Sequence, residues 1–179
     1  MHTASIPAVL LDRDGTLVRG IHYLSDPSGL ELLPGVVKGL ARLDRAGVRR
    51  AVVTNQAGLA RGLVSVDQLL EVNAALRTMF APVELGPVLW CPHHPDHTGL
   101  CRCRKPASGL LLDALALLGA RPAGSWMIGD RPTDASAALA IGMSAVVVGD
   151  AGGDELPPGT LAARTFDAAV ELVLAEAAG

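Results

Sequence analysis

The sequence predicts an α/β fold, a three-layer doubly wound (Rossmann-like) parallel sheet with helices on both faces. Five short apolar runs, rich in β-branched residues, alternate with longer stretches of helical pattern. The runs do not alternate apolar with polar residues, as strands of a sheet with one solvent-exposed face do. We therefore expect the strands to be buried on both sides. The predicted strands are AVLLD, RRAVVTN, PVLWC, SWMIGD and SAVVVG.

The segments between these strands carry start and stop signals of helices. PGVVKGLARLDRAG starts with a proline suited to a first turn and ends at Gly47, and Ser65 is a candidate N-cap for SVDQLLEVNAALRTMF. KPASGLLLDALALLG and PTDASAALAIG repeat the arrangement, which places Arg104 and Lys105 at the opening of the third long helix. Residues 149–160, rich in Gly, Asp and Pro, predict an exposed loop before the last helix.

The size and charge of the chain restrict its class. A length of 179 residues, half of them hydrophobic, predicts one domain, 1–179, with a sizeable core. A net charge of -3 and 3% aromatic residues argue against a nucleic-acid-binding surface. No apolar run reaches the length of a membrane span, and the start of the chain lacks the pattern of a signal peptide. We expect a cytoplasmic monomer that engages neither nucleic acid nor a membrane.

Polar residues follow the predicted strands at the points where the strands end. DRDGT, TNQ and GDRPTD stand after the first, second and fourth strands. The carboxyl ends of parallel strands meet at one edge of the sheet, where ligands bind. Asp12 and Asp14 are expected to point the same way there, with Asp130 arriving from a neighbouring strand. Such crowded carboxylates favour a hard divalent cation, most simply Mg²⁺, and cationic donors beside it suit phosphoryl transfer.

In this order and spacing, DRDGT, TNQ, RKP and GDRPTD resemble the four motifs of the haloacid dehalogenase-like superfamily of aspartyl-phosphate phosphatases over residues 7–150. The resemblance implies a Mg²⁺-dependent phosphatase for a small phosphorylated metabolite, without a large cap domain. A cysteine and histidine loop and TNQ-x-G-x-A-R-G are similar to a branch that acts on heptose bisphosphates and histidinol phosphate. Because no dehydratase is fused, D-glycero-D-manno-heptose 1,7-bisphosphate, cleaved at the 7-phosphate, is the expected substrate. Histidinol phosphate and other sugar phosphates are alternatives.

The resemblance also implies a role for each matching residue. Asp12 would be the nucleophile and a Mg²⁺ ligand, and Asp14 would be the general acid/base, with its main-chain carbonyl on the metal. Thr54 and Lys105 would hold the phosphoryl oxygens, and Asp130 would complete the protein's share of the Mg²⁺ shell. The residues expected to face the substrate are Tyr23, Asn55, Gln56, Arg104 and Arg131.

All three cysteines of the chain lie within residues 91–103. Three sulfurs and one histidine nitrogen suit a closed tetrahedral zinc site of the structural kind. The ligands that match the zinc pattern of the branch are Cys91, His93, Cys101 and Cys103. His94 and His97 remain alternatives to His93. Zinc would order the loop that leads into Lys105 without taking part in the reaction.

Three further questions stay open at the level of sequence. Asp134 is expected either to support the carboxylate group or to cap the helix after GDRPTD. A catalytically silent zinc-binding protein is the non-enzyme alternative, although both aspartates of DRDGT are present. After the last predicted strand the chain has VVVGDAGGDE, where the heptose phosphatases of the branch have a basic RTGK-like turn, so recognition of a second phosphate is open.

Overall fold

A computed structural model describes residues 8–150 and 154–176. Its strands form one six-stranded parallel sheet. They are β1 (Ala8–Leu11), β2 (Arg49–Asn55), β3 (Val88–Cys91), β4 (Trp126–Gly129), β5 (Ser144–Val148) and β6 (Leu161–Ala163). The strand order is β3-β2-β1-β4-β5-β6. The sheet therefore reverses its winding between β1 and β4, as in a doubly wound fold.

Helices cover both faces of this sheet. They are α1 (Val36–Arg45), α2 (Val66–Met79), α3 (Pro95–Thr98), α4 (Gly109–Leu117), α5 (Pro132–Leu139) and α6 (Phe166–Glu176). A short 3₁₀ turn covers Pro27–Gly29. No helix among the described residues combines the length and the apolar character needed to cross a membrane.

The side chains of β1 show why the strand is apolar throughout. Val9 and Leu11 pack into a cluster with α1, α2 and α6, whereas Ala8 and Leu10 pack on the other face with α4 and α5. All four side chains are fully buried. Each face of the sheet is thus covered by its own helical layer, and the predicted three-layer fold is confirmed.

The five predicted strands are confirmed, but β6 was missed. Its sequence, LAA, has no β-branched or aromatic residue and is exposed or half-buried, so it carries no strand signal. The loop after β5 consequently leads into this edge strand and not directly into α6. Residues 151–153 of that loop lie outside the described residues.

Two helix starts also differ from the prediction. Gly35 is the N-cap of α1, so Pro34 precedes the first turn instead of occupying it. The helix α4 begins only at Gly109, which leaves Arg104 and Lys105 in the loop before it. At α2, by contrast, Ser65 caps the helix as predicted.

Candidate active site

A cavity of about 460 Å³ opens at the carboxyl ends of β1, β2 and β4, beside the point where the winding of the sheet reverses. The structure brings the predicted catalytic and substrate-facing residues together around it. Those that line the cavity are Asp12, Asp14, Tyr23, Thr54, Asn55, Gln56, Arg104, Lys105, Asp130 and Arg131. The cavity also includes Asp134 and His94.

Asp12 is held at the end of β1 by the sheet itself. Its main-chain N–H donates to the carbonyl of Ile128 at 2.9 Å, which extends the strand ladder by one residue. Its carboxylate accepts from the Lys105 ammonium at 2.8 Å. That ammonium also contacts Asp134 at 2.6 Å and donates to the Val53 carbonyl at 2.9 Å, so three protein oxygens fix its position.

Lys105 carries a buried positive charge. Burial opposes the charge, but the carboxylates of Asp12 and Asp134 outweigh that effect and raise the pKa of Lys105 above its usual value. The ammonium therefore stays protonated at every physiological pH. It presents a fixed positive charge next to the Asp12 oxygen, where an incoming phosphoryl group would develop negative charge.

Three carboxylates form an acidic group beside this lysine. One oxygen each of Asp12, Asp130 and Asp134 lies within 4.8 Å of the others. Burial, and then the negative charges of Asp12 and Asp134, raise the pKa of Asp130 to about 7, although the cation of Arg131 opposes the shift. Within the described part of the chain, the buried Oδ1 of Asp130 has no hydrogen-bond partner. Hard oxygen donors with an unsatisfied buried atom among them fit Mg²⁺.

Asp134 serves both of the roles weighed for it. It stands in the first turn of α5, where its Oδ2 accepts from the main-chain N–H of Arg131 at 3.1 Å. Its Oδ1 contacts the ammonium of Lys105. Asp134 thus caps the helix and orients the lysine at the same time.

Gly15 lets the turn after β1 approach Asp130 closely. Its φ is 83°, in the left-handed region that glycine adopts most easily. A Cβ at this position would lie 2.1 Å from Oδ2 of Asp130. The glycine of DRDGT is therefore needed for both the turn and the acidic group.

The two amides of TNQ bind protein groups inside the site. Asn55 donates to the main-chain carbonyl of Lys105 and accepts from its N–H, each at 3.1 Å. Gln56 donates to Asp14 at 2.8 Å and to the hydroxyl of Thr54 at 2.9 Å. Both residues line the cavity, but their polar atoms hold Lys105, Asp14 and Thr54 in place.

Tyr23 forms part of the rim of the cavity. Its φ of 55° lies in the left-handed region, and its ring lies against Gly58, where a Cβ would be 2.9 Å from the ring. The guanidinium of Arg61 lies 5.4 Å from the ring centroid and donates to the tyrosine hydroxyl. Arg61 thus joins the turn after β2 to the loop after β1, a contact that the sequence did not predict.

Two arginines bring positive charge to the cavity. Arg104 donates to the carbonyl of His93 at 3.3 Å, which ties it to the cysteine and histidine loop. The side chain of Arg131 is 75% exposed and lies 3.9 Å from Asp130. Both side chains line the cavity and add positive charge to it.

The cysteine and histidine loop, residues 91–103, gathers its soft donors at one point. Sulfur to sulfur distances are 3.1 Å for Cys91 to Cys103, 3.5 Å for Cys101 to Cys103 and 3.6 Å for Cys91 to Cys101. Nδ1 of His93 lies 3.2 Å from the Cys103 sulfur. Sulfur ligands about 2.3 Å from a tetrahedral zinc are roughly 3.8 Å apart, which is close to this arrangement.

His94 and His97 are engaged elsewhere. Nδ1 of His94 accepts from the main-chain N–H of Asp96 and caps α3, and the rings of His94 and His97 contact each other edge to face at 5.2 Å. Neither histidine belongs to the group of four donors.

No sequence motif predicts a role for Arg13 or Asn73. Arg13 stands between the two aspartates of DRDGT, yet its side chain is 1% exposed and contacts Asp14 and Asn73. The arginine within the acidic motif was a usable signal, because a charge in such a position needs a partner. Asn73 gave none, because its place in α2 looks like that of any helical polar residue.

Known proteins share both the fold and the sequence. Residues 102–158 match the family model described as HAD-hydrolase-like. The chain is 38% identical over 143 residues to D-glycero-beta-D-manno-heptose-1,7-bisphosphate 7-phosphatase of Photorhabdus laumondii, covering 76% of each chain. It is 35% identical over 151 residues to the Escherichia coli enzyme of that name, covering 80% of this chain and 79% of the other. The chain belongs to the haloacid dehalogenase-like superfamily of phosphatases.

Solved structures agree with this assignment. A D,D-heptose 1,7-bisphosphate phosphatase from B. bronchiseptica, complexed with magnesium and phosphate, is similar with a TM-score of 0.86 and 30% identity, over 96% of this chain and 99% of that one. An HAD-like phosphatase from Mesorhizobium loti is similar with a TM-score of 0.83 and 30% identity, over 96% and 85% of the two chains. The likeness covers nearly the whole chain and not the motifs alone.

Proposed function

We propose that this chain is a Mg²⁺-dependent phosphatase that removes the 7-phosphate of D-glycero-D-manno-heptose 1,7-bisphosphate. One observation carries the proposal. The cavity joins two aspartates two residues apart, a buried lysine and a third carboxylate, in a chain 35–38% identical to enzymes named for this reaction. We infer that the chain acts as a single-domain monomer, 1–179, with an open site and no large cap.

In the first step, a carboxylate oxygen of Asp12 attacks the phosphorus atom. The bond between phosphorus and the sugar oxygen breaks, and Asp14 gives its proton to that leaving oxygen. Lys105 and the hydroxyl of Thr54 hold the phosphoryl oxygens through this displacement. The products of the step are the dephosphorylated sugar hydroxyl and a phosphorylated Asp12.

In the second step, Asp14 takes a proton from water as the water oxygen attacks the same phosphorus atom. The bond from phosphorus to the Asp12 oxygen breaks, inorganic phosphate leaves, and both aspartates return to their starting states. Asp14 acts as acid and then as base, which one carboxyl group does most easily when its orientation is fixed.

Asp12, Asp130 and the main-chain carbonyl of Asp14 are the groups that would hold Mg²⁺. The metal, when bound, neutralises the carboxylate and phosphoryl charges that meet in the site. The unsatisfied Oδ1 of Asp130 and its raised pKa support this set, because both describe a carboxylate that needs a cation. Asp134 is left to its contacts with Lys105 and α5.

The second phosphate of the substrate would meet the arginines of the rim. Arg104 and Arg131 line the same cavity as Asp12, and Arg131 is mostly exposed, so both reach an anion beyond the reacting phosphate. Tyr23 would contact the sugar between the two phosphates. Arg104 and Arg131 offer positive charge at the rim. The turn after β5 does not, because its sequence is acidic where the heptose phosphatases of the branch have a basic RTGK-like turn.

Zinc would have a structural role at Cys91, His93, Cys101 and Cys103. The donor set is the one that favours a closed tetrahedral zinc site. Burial raises the pKa of the Cys91 thiol, so a thiolate there needs a cation to stabilise it. Because Arg104 donates to the His93 carbonyl, zinc would also order the start of the loop that carries Lys105.

The test is hydrolysis of a panel of phosphorylated metabolites, followed by ³¹P NMR. The panel contains the heptose 1,7-bisphosphate, histidinol phosphate and simple sugar phosphates, with Mg²⁺ and after chelation. We expect Mg²⁺-dependent loss of the 7-phosphate, with kcat/KM at least about tenfold above the others, a modest discrimination for contacts with a second charged group. Preference for histidinol phosphate would favour that alternative, and no hydrolysis of any compound would favour a silent binding protein.

A further inference from the structure

Arg13 is a buried arginine inside the catalytic motif. Its side chain is 1% exposed, although a guanidinium buried without a partner is very costly. Its partner is Asp14, the neighbouring residue. Nε of Arg13 donates to Oδ1 and Oδ2 of Asp14 at 3.2 and 3.1 Å, and Nη2 donates to Oδ2 at 2.9 Å. The planar guanidinium therefore grips the carboxylate through a fork of donors.

The helix α2 also holds the guanidinium of Arg13, through a hydrogen bond to Asn73. Nη1 of Arg13 donates to Oδ1 of Asn73 at 3.1 Å. Asn73 lies in α2, is 5% exposed and is sixty positions from Arg13 along the chain. Because α2 is packed on the sheet, this bond ties the orientation of Arg13 to the core and not to the loop that carries it.

A third group holds the same carboxylate. The amide of Gln56 donates to Oδ2 of Asp14 at 2.8 Å. Oδ2 thus receives three hydrogen bonds, from Nε and Nη2 of Arg13 and from Gln56, whereas Oδ1 receives one, the longest of the set, from Nε of Arg13. Oδ1 is the oxygen with capacity to carry a proton.

We propose that Arg13 is a positioning residue for proton transfer by Asp14, and that Oδ1 is the oxygen that exchanges the proton. This inference rests on the proposed phosphatase function. Arg13 and Gln56 saturate Oδ2 and so stop rotation of the carboxyl group. Oδ1 then gives its proton to the leaving oxygen in the first step and takes one from water in the second. Arg13 acts on the reaction through the carboxyl group of Asp14.

The structure explains why Asp14 needs such support and Asp12 does not. Asp12 continues the ladder of β1 and is held by Lys105. Asp14 lies in the turn beyond the strand, and its side chain is 24% exposed. Without Arg13 its carboxyl group has room to turn into the cavity, and a general acid that is misdirected loses most of its effect.

The test compares two substrates whose leaving groups differ in their need for a proton. The sugar of a sugar phosphate leaves as an alkoxide unless its oxygen is protonated. The leaving group of para-nitrophenyl phosphate is para-nitrophenolate, which departs readily as an anion. The value of kcat/KM reports on the first chemical step, before the shared hydrolysis of phosphorylated Asp12. Positioning of the acid by Arg13 must therefore affect kcat/KM for the sugar phosphate more than for the aryl phosphate.

We expect Arg13→Met to lower kcat/KM for the sugar phosphate by about 100-fold, the lower end of what a general acid contributes, and for the aryl phosphate by less than about threefold. Arg13→Lys should restore part of the loss, because an ammonium can still donate to Oδ2. Asn73→Ala leaves Arg13 in place but removes the hydrogen bond that orients it. This variant should lower kcat/KM for the sugar phosphate by about tenfold and again affect the aryl phosphate less.

Arg50→Met is the matched control. Arg50 is 7% exposed and pairs with Asp44 at 2.7 Å and the Glu84 carbonyl at 2.7 Å, far from the cavity. It should lower stability, and any change in kcat/KM should be the same for the two substrates.

Equal losses of kcat/KM for both substrates in Arg13→Met and Asn73→Ala, or no loss in either variant, would overturn the inference. If Arg13→Met fails to fold, Arg13→Lys and Asn73→Ala still decide it, whereas a wild-type protein inactive on both substrates would overturn the proposed function instead.

Discussion

The Lys105 ammonium lies 2.6 Å from the Asp134 carboxylate, and each side chain is only 3% exposed to solvent. The same ammonium lies 2.8 Å from Asp12. A buried ion pair contributes little over an apolar pair of the same shape, but it becomes very unfavourable when one partner is removed. The arrangement is therefore better understood as orientation of Lys105 toward Asp12 by Asp134 than as a source of stability.

Replacement of this lysine tests that view. In metal-free protein, Lys105→Met should lower the free energy of unfolding by about 3–5 kcal/mol, because two buried carboxylates lose their cation. The exposed pair of Lys38 with Asp167 supplies the control, and Lys38→Met should cost less than about 1 kcal/mol. Urea unfolding measures both. Similar costs for the two variants would contradict the buried charge at Lys105.

The close approach of Gly15 to Asp130 predicts a glycine requirement at this position. Gly15→Ala should cost about 1–2 kcal/mol of stability from its φ of 83° and should also abolish activation by Mg²⁺, because the new Cβ meets Asp130. Gly62→Ala is the control, since Gly62 has φ 66° but nothing within 4 Å of its Cβ position. It should show the stability loss alone. Normal Mg²⁺ activation in a folded Gly15→Ala protein would show that Asp130 is not a ligand.

The raised pKa of Asp130 predicts how stability depends on pH in metal-free protein. The carboxyl group is protonated up to about pH 7 when folded, because burial and the charges of Asp12 and Asp134 disfavour its ionised form, whereas its ordinary value is 3.8. Between these values the folded state binds the extra proton, so stability falls as pH rises from 3.8 to about 7. The Tm should drop between about pH 4 and pH 7 and level off above pH 7, and Mg²⁺ should restore it at pH 8.

Two variants check the assignment of that effect. Asp130→Asn should flatten the drop in Tm, because an amide has no proton to lose. Asp167→Asn should leave the drop unchanged, because a hydrogen bond from Lys38 lowers the pKa of Asp167 and moves its titration below this window. A drop that persists in full in Asp130→Asn would assign it to another group.

Removal of zinc should separate structure from chemistry. The purified protein should carry about one zinc per chain by elemental analysis, and Cys101→Ser should lower Tm, because metal-binding energy is also folding energy. In that variant KM should rise while the pH dependence of activity stays nearly the same. The loop that carries Lys105 is loosened, whereas Asp12 stays at the end of β1. Protein prepared without chelator that holds no zinc would refute the site, and full activity with zinc alone would contradict the role given to Mg²⁺.

Much of the site follows from where the strands end. Short apolar runs followed by DRDGT, TNQ and GDRPTD were enough to predict that these residues meet at one edge of a parallel sheet, and they do. The prediction worked because register and chain direction in such a sheet leave the polar residues nowhere else to lie. The strand β6 was missed because an exposed edge strand needs no apolar or β-branched signal.

The partners of the polar side chains were not predictable in the same way. The reciprocal hydrogen bonds of Asn55 with the main chain of Lys105 depend on the path of a loop fifty residues away. The contact of Arg13 with Asn73 depends on how α2 sits on the sheet. A sequence pattern assigns residues to an edge of the sheet, but their hydrogen bonds depend on distances between elements that no pattern encodes.

Phosphorylation of Asp12 during turnover can be detected directly, because an aspartyl phosphate survives an acid quench. Asp14→Asn protein is mixed with para-nitrophenyl phosphate and Mg²⁺, quenched in acid after the first turnover, digested and analysed by mass spectrometry. The aryl group leaves without an acid, but release of phosphate from Asp12 needs the missing base, so the intermediate should accumulate. We expect a burst of para-nitrophenol close to one per active site, with the phosphate on Asp12. Phosphate on another residue, or steady turnover at the wild-type rate with no phosphorylated protein, would contradict the account.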